Sequence, residues 1–191
     1  LLAVGLAGCA SPPTVIQPNP ILQCRSERGI GGTGLVADRG IGGTGIVGTV
    51  TGFGSICVNG FRVSYDGSTS VSAAGEVVGV AALERGMTVA VMATTQNGAL
   101  HASAIEIVHA AVGPVTAGPD ATGAFAVMGL TVESTNATGT PAAALAVGEM
   151  VVIGGIQRSN GVIDATHIAP ASEGTSASIR GVVDQSNTGL Q

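Results

Sequence analysis

Thr51-Gly-Phe-Gly-Ser-Ile-Cys-Val-Asn-Gly-Phe-Arg-Val63 is the segment that most clearly indicates the architecture of this chain. An Asn-Gly pair between short runs of β-branched and aromatic residues is the strongest short-range signal for a two-residue β-hairpin loop. With Asn59-Gly60 as the loop, paired residues share a face, and the faces alternate along each strand. The predicted pairs are Val58 with Phe61, Cys57 with Arg62, and Ile56 with Val63. The predicted core face carries Ile56, Val58, Phe61, Val63 and Tyr65, and the solvent face carries Cys57, Arg62 and Ser64.

The composition of the 191 residues excludes several classes of protein. The net charge is −5, charged residues make up 10% and aromatic residues 2%, and every basic residue is an arginine. Nucleic-acid binding needs phosphate-neutralising charge and stacking side chains, so we expect no nucleic-acid partner. Hydrophobic residues make up 45%, which is enough to bury apolar surface and argues against disorder of the whole chain.

The N-terminus has the pattern of an exported protein. Residues 1–8 are apolar and small, and Pro-rich sequence follows them, as at the end of a signal peptide. Leu6-Ala7-Gly8-Cys9 resembles the lipobox of bacterial lipoproteins, which implies that residues 1–8 are a signal-peptide remnant and that Cys9 carries the lipid. Ala10-Ser11, in place of an Asp after the cysteine, favours the outer membrane. The expected location is the periplasmic face of that membrane, reached through the lipid anchor.

Residues 9–45 are predicted to be a disordered Pro/Gly-rich tether. They contain a duplication, Arg28-Gly-Ile-Gly-Gly-Thr-Gly34 and Arg39-Gly-Ile-Gly-Gly-Thr-Gly45. Each copy matches G-x-G-x-x-G, but a dinucleotide site needs a preceding strand and a following helix, which this context lacks. A glycine-rich spacer is the better interpretation, and we expect no cofactor. Cys24 lies in this tether, and an oxidising compartment permits a Cys24–Cys57 disulfide; two unpaired thiols are the alternative.

A long repeat occupies the rest of the chain. Leu83-Glu-Arg-Gly-Met-Thr-Val-Ala-Val91 corresponds to Leu145-Ala-Val-Gly-Glu-Met-Val-Val-Ile153, and an Asn-Gly pair follows each, at 97–98 and 160–161. The predicted units are 46–110 and 111–172, and 173–191 is the start of a truncated third. Short Val/Ile/Thr runs between turn residues make each unit β. Pro141 to Val147 is predicted to form one helical turn ended by Gly148.

These residues resemble the bacterial repeat family described as domain of unknown function 5666. The resemblance rests on 51–63, on the Leu-x-x-Gly-Met-x-Val step at 83–89, and on the closing Ala-x-x-Ile patterns at 102–105 and 165–168. It implies an all-β chain of tandem small OB-like barrels, with five to six strands each, in exported proteins and lipoproteins. The family carries no assigned catalytic residues, so the resemblance implies none here.

No motif in the chain proposes a catalytic or metal site. His101, His109 and His167 are the three imidazoles, and the repeats share no histidine position: His101 aligns with Asp164, and His167 with Ala104. The spacing fits no metal site, so surface histidines are predicted. The carboxylates are also dispersed, without a local pair for acid/base chemistry. Those within the two predicted units are Asp66, Glu76, Glu84, Glu106, Asp120, Glu133, Glu149 and Asp164.

The sequence supports two functional hypotheses. The first is a non-enzymatic, lipid-anchored envelope protein that acts as a binding or spacer module, with a protein of the envelope as its partner because sparse aromatics disfavour sugar binding. The alternative is an envelope or cell-wall hydrolase with a site built from dispersed loop residues. The hydrolase needs carboxylates or a histidine that converge in one cleft.

Overall fold

A computed structural model describes Cys24 and residues 44–181. The predicted signal-peptide remnant 1–8, with Leu6, Ala7 and Gly8 of the lipobox, lies outside the described residues. The same holds for the lipidated Cys9, for the rest of the tether to residue 43, and for residues 182–191.

The first unit is a closed β-barrel. Its seven strands are β1 (Thr44–Gly52), β2 (Ile56–Val58), β3 (Phe61–Ser64), β4 (Ser70–Ala73), β5 (Glu76–Val77), β6 (Thr88–Gln96) and β7 (Ala99–Val108). Antiparallel pairs join β3, β2, β1, β6 and β7 in that order, and a parallel pairing of β3 with β7 closes the ring. β4 extends the sheet beside β7, and β5 pairs with β4. β1 begins two residues before the predicted start of the unit, because Thr44 and Gly45 already pair with β6.

The second unit repeats this architecture. Its strands are β8 (Ala111–Ala117), β9 (Phe125–Val127), β10 (Leu130–Glu133), β11 (Thr138–Gly139), β12 (Met150–Gln157) and β13 (Ile163–Pro170). The ring runs β10, β9, β8, β12, β13 and closes through parallel pairing of β10 with β13. When the five strands of each ring are numbered in chain order, their order around the ring is first, second, third, fifth, fourth in both units. The prediction of an all-β chain of tandem OB-like barrels is therefore confirmed.

A single 3₁₀ turn precedes the fourth strand of each ring. The turns are Val80–Ala82 in the first unit and Ala142–Ala144 in the second. The second lies inside the predicted 141–147 segment but is shorter than that segment. Beyond the second barrel, the short strand β14 (Ser178–Ile179) pairs antiparallel with the start of β8.

The Asn59-Gly60 hairpin has the predicted register. Val58 pairs with Phe61, Cys57 with Arg62, and Ile56 with Val63. Both loop residues have positive φ, at 50° and 83°, as a two-residue type I′ loop requires. Ile56, Val58 and Val63 are fully buried, Phe61 and Tyr65 pack against the core from its edge, and Arg62 is exposed. Alternation along this hairpin was therefore sufficient to predict its core face.

The second unit forms the equivalent hairpin with Met128-Gly129, which sequence reasoning missed. The φ values of these residues are 50° and 82°, although Met has no preference for the left-handed region. Met128 lies directly over Gly113, where an added Cβ would fall 2.5 Å from the Met128 Sδ. Gly48 has the same role in the first unit, because a Cβ there would fall 2.8 Å from the Cβ of Asn59. A glycine in the first strand thus makes room for the hairpin loop in both units.

Each barrel has its own aliphatic core. Ile56, Ile105 and Val91 are among the buried residues of the first, and Ile153, Ile163 and Ile168 are among those of the second. The two cores are separate clusters. The contacts between the units are therefore made by a different set of residues, which also forms the candidate site.

Candidate functional site

The structure contains a disulfide between Cys24 and Cys57. The Sγ atoms are 2.00 Å apart, and the Cα atoms are 5.8 Å apart. The Cys24 N–H also donates to the Gly60 carbonyl at 2.8 Å. The predicted tether is thereby fastened to the β2–β3 hairpin.

His101 forms a surface pair with Asp66. The His101 Nε2 atom is 3.2 Å from the Asp66 Oδ2 atom. The pKa of Asp66 is lowered, mainly by hydrogen bonds from the Ser68 hydroxyl and N–H and secondarily by His101. Asp66 organises its own turn through the hydrogen bonds that it accepts from the N–H and hydroxyl of Ser68.

His167 is buried, so the prediction of a surface histidine is wrong at this position. Its residue exposure is only 2%. It lies on β13 and pairs with Thr138 of β11, at the place where the first unit covers the second. The alternation of hydrophobic and polar residues along a strand indicates which face packs in its own unit, but it cannot reveal a face that the neighbouring unit covers. The equivalent Ala104 of the first unit pairs with Ser70 in the same way and has no such cover.

Thr138 links the two units through its hydroxyl. Its Oγ1 atom is 2.6 Å from the Arg85 carbonyl oxygen, 3.1 Å from the Thr166 carbonyl oxygen and 3.1 Å from the His167 Nδ1. Gly86 allows this approach, since a Cβ at Gly86 would lie 2.0 Å from the Thr138 Oγ1. The backbone of the first unit therefore approaches the second only because residue 86 is glycine.

The other nitrogen of His167 has no hydrogen-bond partner among the described residues. Nε2 is fully buried, and the nearest carboxylate oxygen, Glu84 Oε2, is 3.6 Å away. A histidine ring with one satisfied nitrogen and one unsatisfied nitrogen is unusual in a protein interior. This ring therefore needs a functional or structural explanation.

A cavity of about 190 Å³ lies between the two barrels, and we call it the junction cavity. The first unit contributes the loop after β5, the 3₁₀ turn and the end of β7, and the second unit contributes β12 and β13. The walls are almost entirely apolar, with two histidines among them. The lining residues used below are Val78, Ala82, Met87, His109, Val152, His167 and Ala169.

Both histidines of the junction cavity favour the neutral state. Burial lowers the pKa of His167 from 6.5, although the carboxylate of Glu84 opposes that shift. The pKa of His109 is also lowered, first by burial and then by the positive charge of Arg180 and by His167. The junction cavity is thus an uncharged space near neutral pH.

Two of the dispersed carboxylates meet around an arginine. Parallel pairing of β10 with β13 places Glu133 beside Asp164. Arg158 donates through Nη2 to Glu133 at 2.9 Å and through Nε to Asp164 at 2.6 Å. These contacts raise the pKa of Arg158. An open cavity of about 330 Å³ lies beside the cluster, but both carboxylates are bound to the arginine rather than free for acid/base work.

The remaining carboxylates are separate. Asp120 accepts hydrogen bonds from Thr122 and Ala124 in its own turn, and Glu149 accepts one from the Ala146 N–H at 3.0 Å. The Glu84 Oε2 atom lies 3.6 Å from the Nε2 atom of His167. Within residues 44–181 and Cys24, no group of three or more His, Cys, Asp or Glu side chains is arranged to hold a metal ion. No helix in the same part of the chain has the length and apolar character to cross a membrane.

Comparison with known proteins gives one result. The family model described as "Domain of unknown function (DUF5666)" matches the chain twice, over residues 44–106 and 112–169. No curated protein and no solved structure matches the chain. The two matched ranges correspond to the two barrels.

Proposed function

The chain belongs to the DUF5666 family, and from this premise we propose that it is a lipid-anchored, non-enzymatic binding protein of the bacterial cell envelope, with its ligand site in the junction cavity. The observation that carries the binding role is the apolar cavity itself, which lies between the two barrels and has His109 and His167 among its lining residues.

The size and shape of the cavity favour a small molecule over a protein partner. Ligand sites in proteins are concave, mostly apolar, and carry a few polar groups that fix orientation. The junction cavity has this character on a small scale, whereas a module that serves only as a spacer requires no cavity. This proposal therefore replaces the envelope protein expected from the sequence with a small ligand.

Anchoring is supported by Leu6-Ala7-Gly8-Cys9. Two or more acyl chains on Cys9 would give stable membrane attachment, because each buried CH₂ contributes about 0.8 kcal/mol. The test is metabolic labelling of the full-length protein with a fatty-acid analogue in a bacterial host. We expect label and membrane fractionation with Cys9 and loss of both in Cys9→Ser. Persistence of membrane attachment in Cys9→Ser would contradict the proposal.

Binding in the junction cavity is tested by filling it. Ala82 lies on the 3₁₀ turn that lines the cavity, and Ala144 is its exposed counterpart in the second unit. Toluene and phenol, each one ring with one substituent, serve as probes by NMR titration of the full chain. We expect at least one probe to bind the unmodified protein and the Ala144→Leu variant, and binding to be lost in Ala82→Leu. Absence of binding by both probes, or equal binding by both variants, would reject the junction cavity as the ligand site.

The hydrolase alternative has one observation in its favour. Glu84, His167 and Thr138 lie in the order carboxylate, imidazole, hydroxyl, with separations of 3.6 Å and 3.1 Å, which has the form of an activated nucleophile. However, the Thr138 proton is directed to the Arg85 carbonyl at 2.6 Å and not to the ring. We expect no hydrolysis of ester substrates; turnover that disappears in Thr138→Val would favour the alternative.

A further inference from the structure

The first half of β1 is paired on one side only, among the residues that the structure describes. The Val50 N–H donates to the Met87 carbonyl, so the backbone groups of Val50 face the β6 side. Successive residues of a strand direct their backbone groups to opposite sides, and residues 44–49 pair with β6 without a register shift. The N–H and C=O groups of Gly45 and Val47 therefore point away from β6, and β2 does not reach them, because its pairing with β1 begins at Val50.

The corresponding edge of the second unit holds an additional strand. There β14 pairs antiparallel with Val112 and Ala111 at the start of β8, and Val112 is the repeat equivalent of Val47. Pro114 follows in β8, and a proline has no N–H to offer to a further strand. This edge of the barrel thus accepts an antiparallel strand, and in the second unit it is both covered and interrupted.

The sequence of β1 contains none of the features that protect an exposed edge. Its nine residues, TGIVGTVTG, include no charged residue and no proline, whereas natural proteins protect edge strands with charges, prolines or a covering segment. On the outer face of the barrel, Val47 is 54% exposed and Met92 of β6 is 58% exposed. Exposed apolar side chains beside an unprotected edge are typical of an interface.

The order of the side chains on this outer face makes the edge complementary to itself. Gly45 pairs with Met92, and an added Cβ at Gly45 would meet nothing within 4 Å. When two copies are placed antiparallel with Ile46 opposite Ile46, Val47 of one copy lies opposite Gly45 of the other. Because opposite residues share a face, each Val47 fills the open space over that glycine and lies beside Met92 of the other copy.

We propose that two copies of this chain associate through antiparallel pairing of their β1 edges, centred on Ile46. The Gly45 N–H of each copy donates to the Val47 carbonyl of the other, and the Val47 N–H of each copy donates to the Gly45 carbonyl of the other. Both copies use the same surface, so the contact closes at a dimer. This inference goes beyond the proposed function and does not depend on the junction cavity.

Sedimentation of the full chain tests the dimer, in a Cys9→Ser background so that neither a lipid nor a third thiol contributes to association. We expect a reversible monomer–dimer equilibrium in this parent. Dimerisation should be about tenfold weaker in Val47→Lys, because two cross-strand apolar contacts are lost.

Val147→Lys is the matched control for this substitution. Val147 is also an exposed valine, at 66%, and it lies in a turn outside the strands. Its lysine variant has the same added charge, and its dissociation constant should equal that of the parent. A parent that stays monomeric at the highest concentration reached, or equal weakening by the two substitutions, would overturn the proposal.

Amide hydrogen exchange locates the interface and requires no substitution in β1. The amides of Gly45 and Val47 should be protected at high protein concentration and should lose protection on dilution, whereas those of Ile46 and Gly48, which face β6, should keep theirs. Protection of Gly45 and Val47 that is independent of concentration would show that another segment of the same chain covers the edge. That result, or a dimer in which these two amides stay unprotected, would overturn the proposal.

Discussion

The ring of His167 is held by both barrels at once. The Thr138 hydroxyl oxygen of its own unit lies 3.1 Å from Nδ1, and the Glu84 Oε2 atom of the first unit lies 3.6 Å from Nε2. Because the ring is almost fully buried, its protonation affects the stability of the whole chain rather than that of a surface loop.

The free energy of unfolding should fall as the pH decreases below about 6.5. Burial lowers the pKa of His167 below that value in the folded protein, so the unfolded chain takes up a proton first. Stability is then greatest above pH 6.5 and is lost as the pH falls towards the folded pKa. His109, with Arg180 near it, acts in the same direction. Urea denaturation at pH 7.5 and pH 5.5 measures the effect.

A control variant separates His167 from the other titrating groups. His167→Gln should show a smaller loss of stability between the two pH values than the unmodified protein. The pKa values of Asp66 and Asp120 are also lowered, but from 3.8, so their contribution is lost at lower pH. Equal pH dependence in the unmodified protein and His167→Gln would contradict the assignment to His167.

Which side chains of the first hairpin are buried could be derived from the sequence, but the burial of His167 could not. Ile56, Val58 and Val63 face a core that belongs to their own unit, so strict alternation locates them. His167 faces a neighbouring unit, and its counterpart Ala104 gives no hint of that. The available signal was a difference between the repeats. The second repeat has His167 where the first has Ala104, and the first has Glu84 where the second has Ala146.

The hairpin loops are the elements that set the register of both barrels. Gly60 has a φ of 83°, and an added Cβ at that position would meet no atom within 4 Å. Gly60→Ala therefore tests backbone strain alone, with an expected loss of about 1–2 kcal/mol in unfolding free energy. Thermal or urea denaturation measures it.

Gly67 provides the matched control for this substitution. It also has open space around it, but its φ lies outside the left-handed region. Gly67→Ala should be neutral or slightly stabilising, because alanine reduces the conformational entropy of the unfolded chain. Equal losses of unfolding free energy in the two variants would show that the positive φ of residue 60 does not disfavour alanine.

The disulfide is the second element-scale contribution to stability. It closes a loop with a sequence separation of 33, for which chain entropy gives a stabilisation of about 2–4 kcal/mol. Cys57→Ser should lose this amount, measured in a Cys9→Ser background so that no third thiol takes part. Reduction of the parent protein should give the same loss and should leave Cys57→Ser unchanged. A parent protein that is insensitive to reduction would contradict this expectation.

Turn chemistry predicted the loops in part. Asn59-Gly60 and Asn97-Gly98 both have two residues at positive φ, as Asn-Gly pairs favour. At Asn160-Gly161 only the glycine has a positive φ, and the Arg158 N–H donates to the Val162 carbonyl across a longer loop. The second repeat has one residue more than the first between the aligned segment 145–153 and this turn. Met128-Gly129 has no local signal in methionine, and the space provided by Gly113 becomes evident only when the strands are assembled.

The two barrels join through unlike surfaces. The segment of the first unit around Glu84 to Thr88 meets β11 and β13 of the second. The repeat could be read from the sequence, since each barrel is local in the chain. The junction could not, because its residues lie in different repeats, and His167 and Glu84 differ from their counterparts Ala104 and Ala146.

Gly86→Ala should weaken this junction specifically. A Cβ at Gly86 would lie 2.0 Å from the Thr138 Oγ1 and 2.4 Å from the Thr166 oxygen, so the units must shift apart. Gly148 is the equivalent glycine of the second unit, with nearly the same φ, 91° against 90°, and nothing within 4 Å. We expect Gly86→Ala to lose about 1–3 kcal/mol more unfolding free energy than Gly148→Ala. Equal losses would show that the junction adds no stability.

The disulfide also decides where a mechanical load enters the molecule. A pull on the chain ahead of Cys24 passes through the sulfur atoms to Cys57 in β2, and the loop that contains β1 carries no tension. Without the covalent link, the same pull would reach β1 at Thr44 and would open its ladder with β6 one pair at a time, beginning at Thr44 and Ala93. The link thus removes the easiest unzipping path and directs the force to a strand held on both sides, by β1 and β3.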